Sequence, residues 1–165
     1  MKKNLLSLLV VIVIGSVIGG FLWNKYRVPP TIMESNVTFI TSDGIKGLAD
    51  LKGQSSIVIF YAKWCGQCMA EMKPLQAAQA KFSPQNIQIV ALTDDTPEQI
   101  TNVRDHFGIT FAQYQLENKL KAHDIHTIPT TYILNENGQI VFEHVGVLNW
   151  SDDSFLNEVI ALVNT

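Results

Sequence analysis

The segment Ser56–Ala62 (SIVIFYA) is followed one lysine later by Trp64-Cys65-Gly66-Gln67-Cys68, and this pairing constrains the fold most tightly. A near-unbroken run of β-branched and aromatic residues is what a strand buried on both faces requires. Such strands belong to sheets covered by helices. The cysteines therefore stand at the carboxyl end of an inner strand, where open α/β sheets place their sites. The residues from Cys65 to Phe82 form a helical segment with Pro74 as a kink, so the pair opens a helix. Helix N-terminal N–H groups and the helix dipole stabilise a thiolate. Two intervening residues also let the second sulfur swing onto the first.

The rest of the chain alternates in the same manner. Val37–Thr41 is a short strand candidate ended by the turn Ser42-Asp43-Gly44. Ile87–Thr93 is a second buried strand, and Asp95 or Thr96 caps a helix that begins at Pro97 and runs to about Phe107. Phe111–Gln115 and a short helix near Glu117–His123 follow. Thr130–Leu134 and Gln139–Val145, joined by Asn135-Glu136-Asn137-Gly138, form a hairpin. Ser151–Val163 closes the chain as a helix with Ser151 at its N-cap. The order predicts one α/β domain, a mixed sheet with helices on both faces.

Before this domain lies a segment of another kind. Leu5–Trp23 holds nineteen residues without a charge. A bilayer core of ~30 Å needs about 20 apolar residues as helix, so the segment is expected to be a transmembrane signal anchor. A cleaved signal has a shorter apolar region, ~7–15 residues. Residues 1–4 form a tail, 24–36 a linker stiffened by Pro29-Pro30, and 37–165 the globular domain. The first 27 residues carry Lys2, Lys3, Lys25 and Arg27 and no acid. The remainder has eight basic against fifteen acidic side chains, a net of −7. With no basic cluster, nucleic-acid binding is excluded as a function class.

Cys65 and Cys68 are the only cysteines. As half of a zinc site they would need two further ligands, for which His123 and His126 are the candidates. A copper(I)-handling module would need a third ligand, with His126 available. A purely structural disulfide closing so short a loop removes little chain entropy. Redox chemistry remains the best use of the pair and needs neither cofactor nor metal. His123 and His126 read as a solvated helix end, or, for His126, as a residue near the sulfurs. Pro129, directly before the branched strand Thr130–Leu134, marks that strand's first residue or a cis-proline turn.

Trp64-Cys65-Gly66-Gln67-Cys68 together with Ile128-Pro129-Thr130 resembles the thioredoxin superfamily signature, WCxxC plus a cis-proline loop. Leu48–Gly53, Phe60–Trp64, Cys68–Glu71, Pro129–Leu134 and Asn137–Val141 are similar to the membrane-tethered TlpA/ResA-like branch. The resemblance implies a thioredoxin-like fold over most of residues 37–165 and an exported thiol–disulfide oxidoreductase. That enzyme would sit in the cytoplasmic membrane with its catalytic domain in the periplasm or extracytoplasmic space. It would reduce disulfides in apocytochrome c or other envelope proteins and draw electrons from a membrane donor of DsbD/CcdA type. An oxidase or isomerase of the same build is the alternative. By the same resemblance Cys65 is the nucleophile, Cys68 the resolving thiol and Pro129 the cis-proline, while Glu71 matches an acidic residue held near the site. Trp64 and Ile128 would form an apolar platform for substrate. A helix-surface glutamate is the other reading of Glu71. Thioredoxins ordinarily hold a buried aspartate six residues before the first cysteine; Ile59 stands there.

Overall fold

A computed structural model describes residues 36–164; the anchor and most of the linker expected at 5–23 and 24–36 lie outside the described residues. Seven strands form one mixed sheet: β1 (Thr38–Thr41), β2 (Gly44–Gly47), β3 (Ser55–Phe60), β4 (Ile87–Thr93), β5 (Ala112–Leu116), β6 (Thr130–Leu134) and β7 (Ile140–Val145). Their spatial order is β2-β1-β5-β4-β3-β6-β7. Among the described residues three α-helices complete the domain: α1 (Gly66–Phe82), α2 (Pro97–Phe107) and α3 (Asp153–Val163).

The two parallel pairs, β3–β4 and β4–β5, step across the sheet in the same direction. Their crossovers are α1 and α2. Right-handed connections stepping one way deposit their helices on one face. Accordingly Ile57, Ile59 and Tyr61 pack with Met72 and Leu75 of α1, Val103 of α2 and Leu156 and Val159 of α3 in one core. The intervening Val58 and Phe60 point the other way, into a second core with Leu48, Leu120 and Ile125. Helices thus lie on both faces, but unequally. The second face is covered by the short 3-10 turns Leu48–Leu51 and Leu120–His123.

Three local expectations change. β2 is an added edge strand hairpinned to β1, and its sequence Gly-Ile-Lys-Gly carries too few branched residues to announce itself. α3 starts two residues later than expected, with Asp152 rather than Ser151 accepting the N–H of Ser154. The segment near 117–123 is helical only from Leu120, where Lys119 is followed by a single 3-10 turn.

The register decides where the site forms. Thr130, the first residue of β6, pairs antiparallel with Phe60, the last residue of β3. Tyr61 directly follows Phe60 and Pro129 directly precedes Thr130, so both lie at this end of the strand pair. The chain leaving β3 toward the cysteines therefore meets the chain entering β6 through the proline.

Candidate active site

Beyond Phe60 the backbone turns sharply, with the N–H of Cys65 donating to the carbonyl of Ala62 at 2.9 Å. The turn is held from below by Asp95. Its Oδ2 accepts the N–H of Lys63 at 2.6 Å and the hydroxyl of Thr93 at 2.9 Å. Asp95 is only 6% exposed. Thr96, not Asp95, caps α2 through a reciprocal pair with Gln99. The sequence marks Asp95 only as a possible cap, because its partner lies 32 residues away.

Cys65 is the N-cap of α1, and its Sγ accepts the N–H of Cys68 at 3.2 Å. A sulfur in this position sits on the positive end of the helix dipole and receives an otherwise orphan donor, both of which favour the thiolate. Cys65 and Cys68 are joined as a disulfide. Cys65 retains 8% exposure and Cys68 none, so of the two residues only the first reaches the surface. The Ile128–Pro129 bond is cis. The Ile128 carbonyl oxygen lies 3.8 Å from Cys65 Sγ. Two contacts set this loop: the Thr130 hydroxyl donates to the Thr127 carbonyl at 2.7 Å, and the Gly146 N–H donates to the Pro129 carbonyl at 2.8 Å. Gly146 does so at φ +114°, a conformation that L side chains rarely adopt.

Trp64 projects from the turn with 76% of its surface exposed, and it lines a groove together with Ile128. The structure thus brings Trp64, Cys65, Cys68, Ile128 and Pro129 to one end of the sheet.

Glu71 lies one helical turn after Cys68 and is 4% exposed, which removes the helix-surface reading. Its Oε1 accepts the N–H of Leu148 at 2.6 Å and the indole N–H of Trp150 at 3.2 Å. Oε2 is buried without a hydrogen-bond partner among the described residues. Burial pushes the carboxyl up from its ordinary value, and the two donors oppose that shift. The carboxylate ties the segment between β7 and α3 to the first turns of α1. Leu148 and Trp150 were not anticipated from the sequence, since they lie 77 and 79 residues from Glu71.

Of the two histidines before the proline, His126 is exposed and lines the Trp64 groove. His123, expected at a solvated helix end, is instead buried, with Nδ1 2.8 Å from the Asn36 carbonyl oxygen. The cause is its place in a 3-10 turn that closes the second core. Deeper in the sheet, the Gln113 amide donates to the Tyr61 hydroxyl at 3.0 Å, and burial together with the nearby Asp95 carboxylate pushes the phenol's pKa far up. Among the described residues no three His, Cys, Asp or Glu side chains gather to hold a metal ion.

A thioredoxin-like sheet that presents a disulfide-forming pair on a helix N-terminus, facing a cis-proline loop, defines a thiol–disulfide oxidoreductase. The chain belongs to the AhpC/TSA family, whose sequence pattern matches residues 35–143. It is 24% identical over 157 residues to the thiol-disulfide oxidoreductase ResA of Bacillus thuringiensis, covering 88% of this chain and 91% of that one. It is 28% identical over 120 residues to the ResA of Halalkalibacterium halodurans, covering 68% of each. Among solved structures, a putative thiol:disulfide interchange protein DsbE from Chlorobium tepidum superposes with a TM-score of 0.68 at 18% identity. That alignment covers 82% of this chain and 97% of the other, and it speaks for the fold.

Proposed function

We propose that this protein is a membrane-tethered reductant of disulfides in exported proteins, with Cys65 as nucleophile and Cys68 as resolving thiol. The observation that carries the assignment of roles is the unequal exposure of a pair set on the N-cap of α1. In the reduced protein the Cys65 thiolate attacks one sulfur of a substrate disulfide. A new bond forms between Cys65 Sγ and that sulfur, and the other substrate sulfur leaves as a thiolate. The Cys68 thiol then loses its proton and attacks Cys65 Sγ. This closes the Cys65–Cys68 disulfide and releases the second substrate thiol. Two electrons pass from the protein to the substrate.

Glu71 is the acceptor we assign to the Cys68 proton. It is a buried carboxyl one turn further along the same helix, and in this reading it supplies the acid that Ile59 does not. Pro129 and Ile128 border the nucleophile, and Trp64 offers apolar surface to the substrate. The uncharged segment 5–23 supports tethering, and a pair placed to form a disulfide supports a periplasmic or extracytoplasmic site. The names of the ResA relatives support thiol–disulfide exchange as the chemistry. The reductive direction, apocytochrome c as a substrate and a membrane dithiol donor of DsbD/CcdA type rest on the motif resemblance to the TlpA/ResA-like branch.

The test is a pair of variants. Cys65→Ser is expected to abolish disulfide reduction, and Cys68→Ser to accumulate a mixed disulfide between Cys65 and the substrate. Full activity in the Cys65 variant would end the proposal.

A further inference from the structure

On the side of the sheet covered by the 3-10 turns, the Trp64 ring borders a groove of about 310 Å³. Buried Leu120 and Ile125 supply its apolar lining, and Ile128 is shared with the cysteine site, since its carbonyl lies 3.8 Å from Cys65 Sγ. The other lining is charged. Lys119 reaches Asp94, with Nζ 3.6 Å from Oδ2 and 3.4 Å from the Asp94 carbonyl oxygen. Lys121 has no ion-pair partner among the described residues, and exposed His126 adjoins it. A domain whose charge is otherwise strongly negative thus shows a net positive lip beside its nucleophile.

We propose that this groove is a specificity subsite for an extended segment of the disulfide substrate. An apolar side chain near the substrate cysteine would cover Trp64, and a carboxylate beyond it would face Lys119 and Lys121. The inference rests on the thiol–disulfide reading of the site and adds the substrate's chemistry to it. Two observations support it. A tryptophan 76% exposed leaves a large apolar face in water beside the reacting sulfur, where only a bound partner covers it. The charges at the lip complement acidic and repel basic segments, and charges placed at a rim act on encounter and register. In an extended segment, side chains two apart leave on the same side. Cysteine, aromatic and carboxylate at alternate positions therefore meet the sulfur, the groove and the lysines together.

The probe is the peptide Glu-Ala-Phe-Ala-Cys-Ala-Phe-Ala-Glu, symmetric about its cysteine so that either chain direction presents the same groups. Its cysteine is joined to 2-mercaptoethanol as a mixed disulfide. Counterparts carry Lys for both Glu, or Ala for both Phe. Second-order rate constants are measured with the reduced full-length chain in detergent. The Glu peptide is expected to react roughly tenfold faster than the Lys peptide at low ionic strength. That ratio should fall toward one in Lys119→Gln/Lys121→Gln and at about 1 M salt. The Ala-for-Phe peptide should be slower with both proteins. Reduction of neutral bis(2-hydroxyethyl) disulfide should be the same in the wild type and the double variant. Equal rates for the Glu and Lys peptides, or a ratio unchanged in the double variant, overturn the subsite while leaving the thiol–disulfide reading intact. Failure to reduce even the neutral disulfide overturns both.

Discussion

Asp95 accepts the backbone N–H of Lys63 at 2.6 Å, so the end of β4 grips the turn that carries the cysteines. A buried carboxylate bonded to an N–H and a hydroxyl is a rigid fixture, because both of its bonds are charge-assisted. Asp95→Ala is expected to lower the unfolding free energy by about 2 kcal/mol. It should also slow the reaction of Cys65 with small disulfides. Asp95→Asn keeps an acceptor for Lys63 and should recover most of the stability. Chemical denaturation and rates with bis(2-hydroxyethyl) disulfide check both. An Asp95→Ala protein as stable as the wild type would show that the turn holds itself.

Glu71 gives a prediction whose sign follows from linkage. Its folded pKa is raised above the unfolded value, so the native state binds the extra proton. The corresponding stability is fully present below the unfolded pKa and is lost as pH rises through the raised folded value. Glu71→Gln should remove that decline, leaving a flatter profile of stability against pH over this window. Thermal unfolding of the oxidised protein from acid to neutral pH reads it, and parallel profiles for the two proteins would contradict the assignment.

Glu71→Ala differs, since it strands the Leu148 N–H and the Trp150 indole N–H in a buried setting. We expect a loss of about 2 kcal/mol and faster amide exchange across residues 146–150. Hydrogen exchange that is unchanged there would mean the segment is fixed by packing of Trp150 against Phe82 and Phe155 alone.

The reduction potential should lie nearer the thioredoxin end of the scale, about −270 mV, than the DsbA end, about −120 mV. Strong oxidants over-stabilise the reduced form with extra donors or positive charge at the nucleophile. Here Gly66 adds no side-chain donor and Gln67 only a neutral amide. The buried acids Glu71 and Asp95 oppose the positive lip of the groove, where Lys119 is drawn toward Asp94 and Lys121 and His126 lie exposed at the surface. Equilibration with glutathione buffers, followed by alkylation of the free thiols, measures it. A value at or above about −150 mV would mark the protein as an oxidant.

Topology is tested separately. A membrane-impermeant thiol reagent applied to spheroplasts should label Cys65 of the reduced protein. Labelling that requires rupture of the inner membrane would place the domain on the other side.

Much of the fold is legible in the sequence because its central elements are locally over-determined. The branched runs of β3 and β4, Thr96-Pro97 at the start of α2 and the Asn-Gly turn before β7 each declare their element with short-range chemistry. β2 does not, since a glycine-bounded edge strand draws its order from pairing with β1. The start of α3 is not legible from the sequence, because Ser151 and Asp152 both suit a cap. The turn from Asn149 to Asp152, with its 3.0 Å backbone bond, selects the second. At the site, the cysteines and the proline stand out as motifs. The hydrogen bonds of Asp95 and Glu71 do not, because their partners are brought near only by the finished sheet.

The pairing of Thr130 with Phe60 makes the juncture of cysteine turn and proline loop a property of two strand ends. The segment between β5 and Thr127 enters that juncture only as a peripheral wall. Its exposed positions, Lys119, Lys121 and His126 among them, are therefore free to drift among descendants of such a chain without displacing the sulfurs, while Leu120, His123 and Ile125 stay tied to the second core. Substrate preference could change at the exposed positions by exchange of side chains while the electron-transfer chemistry is inherited intact.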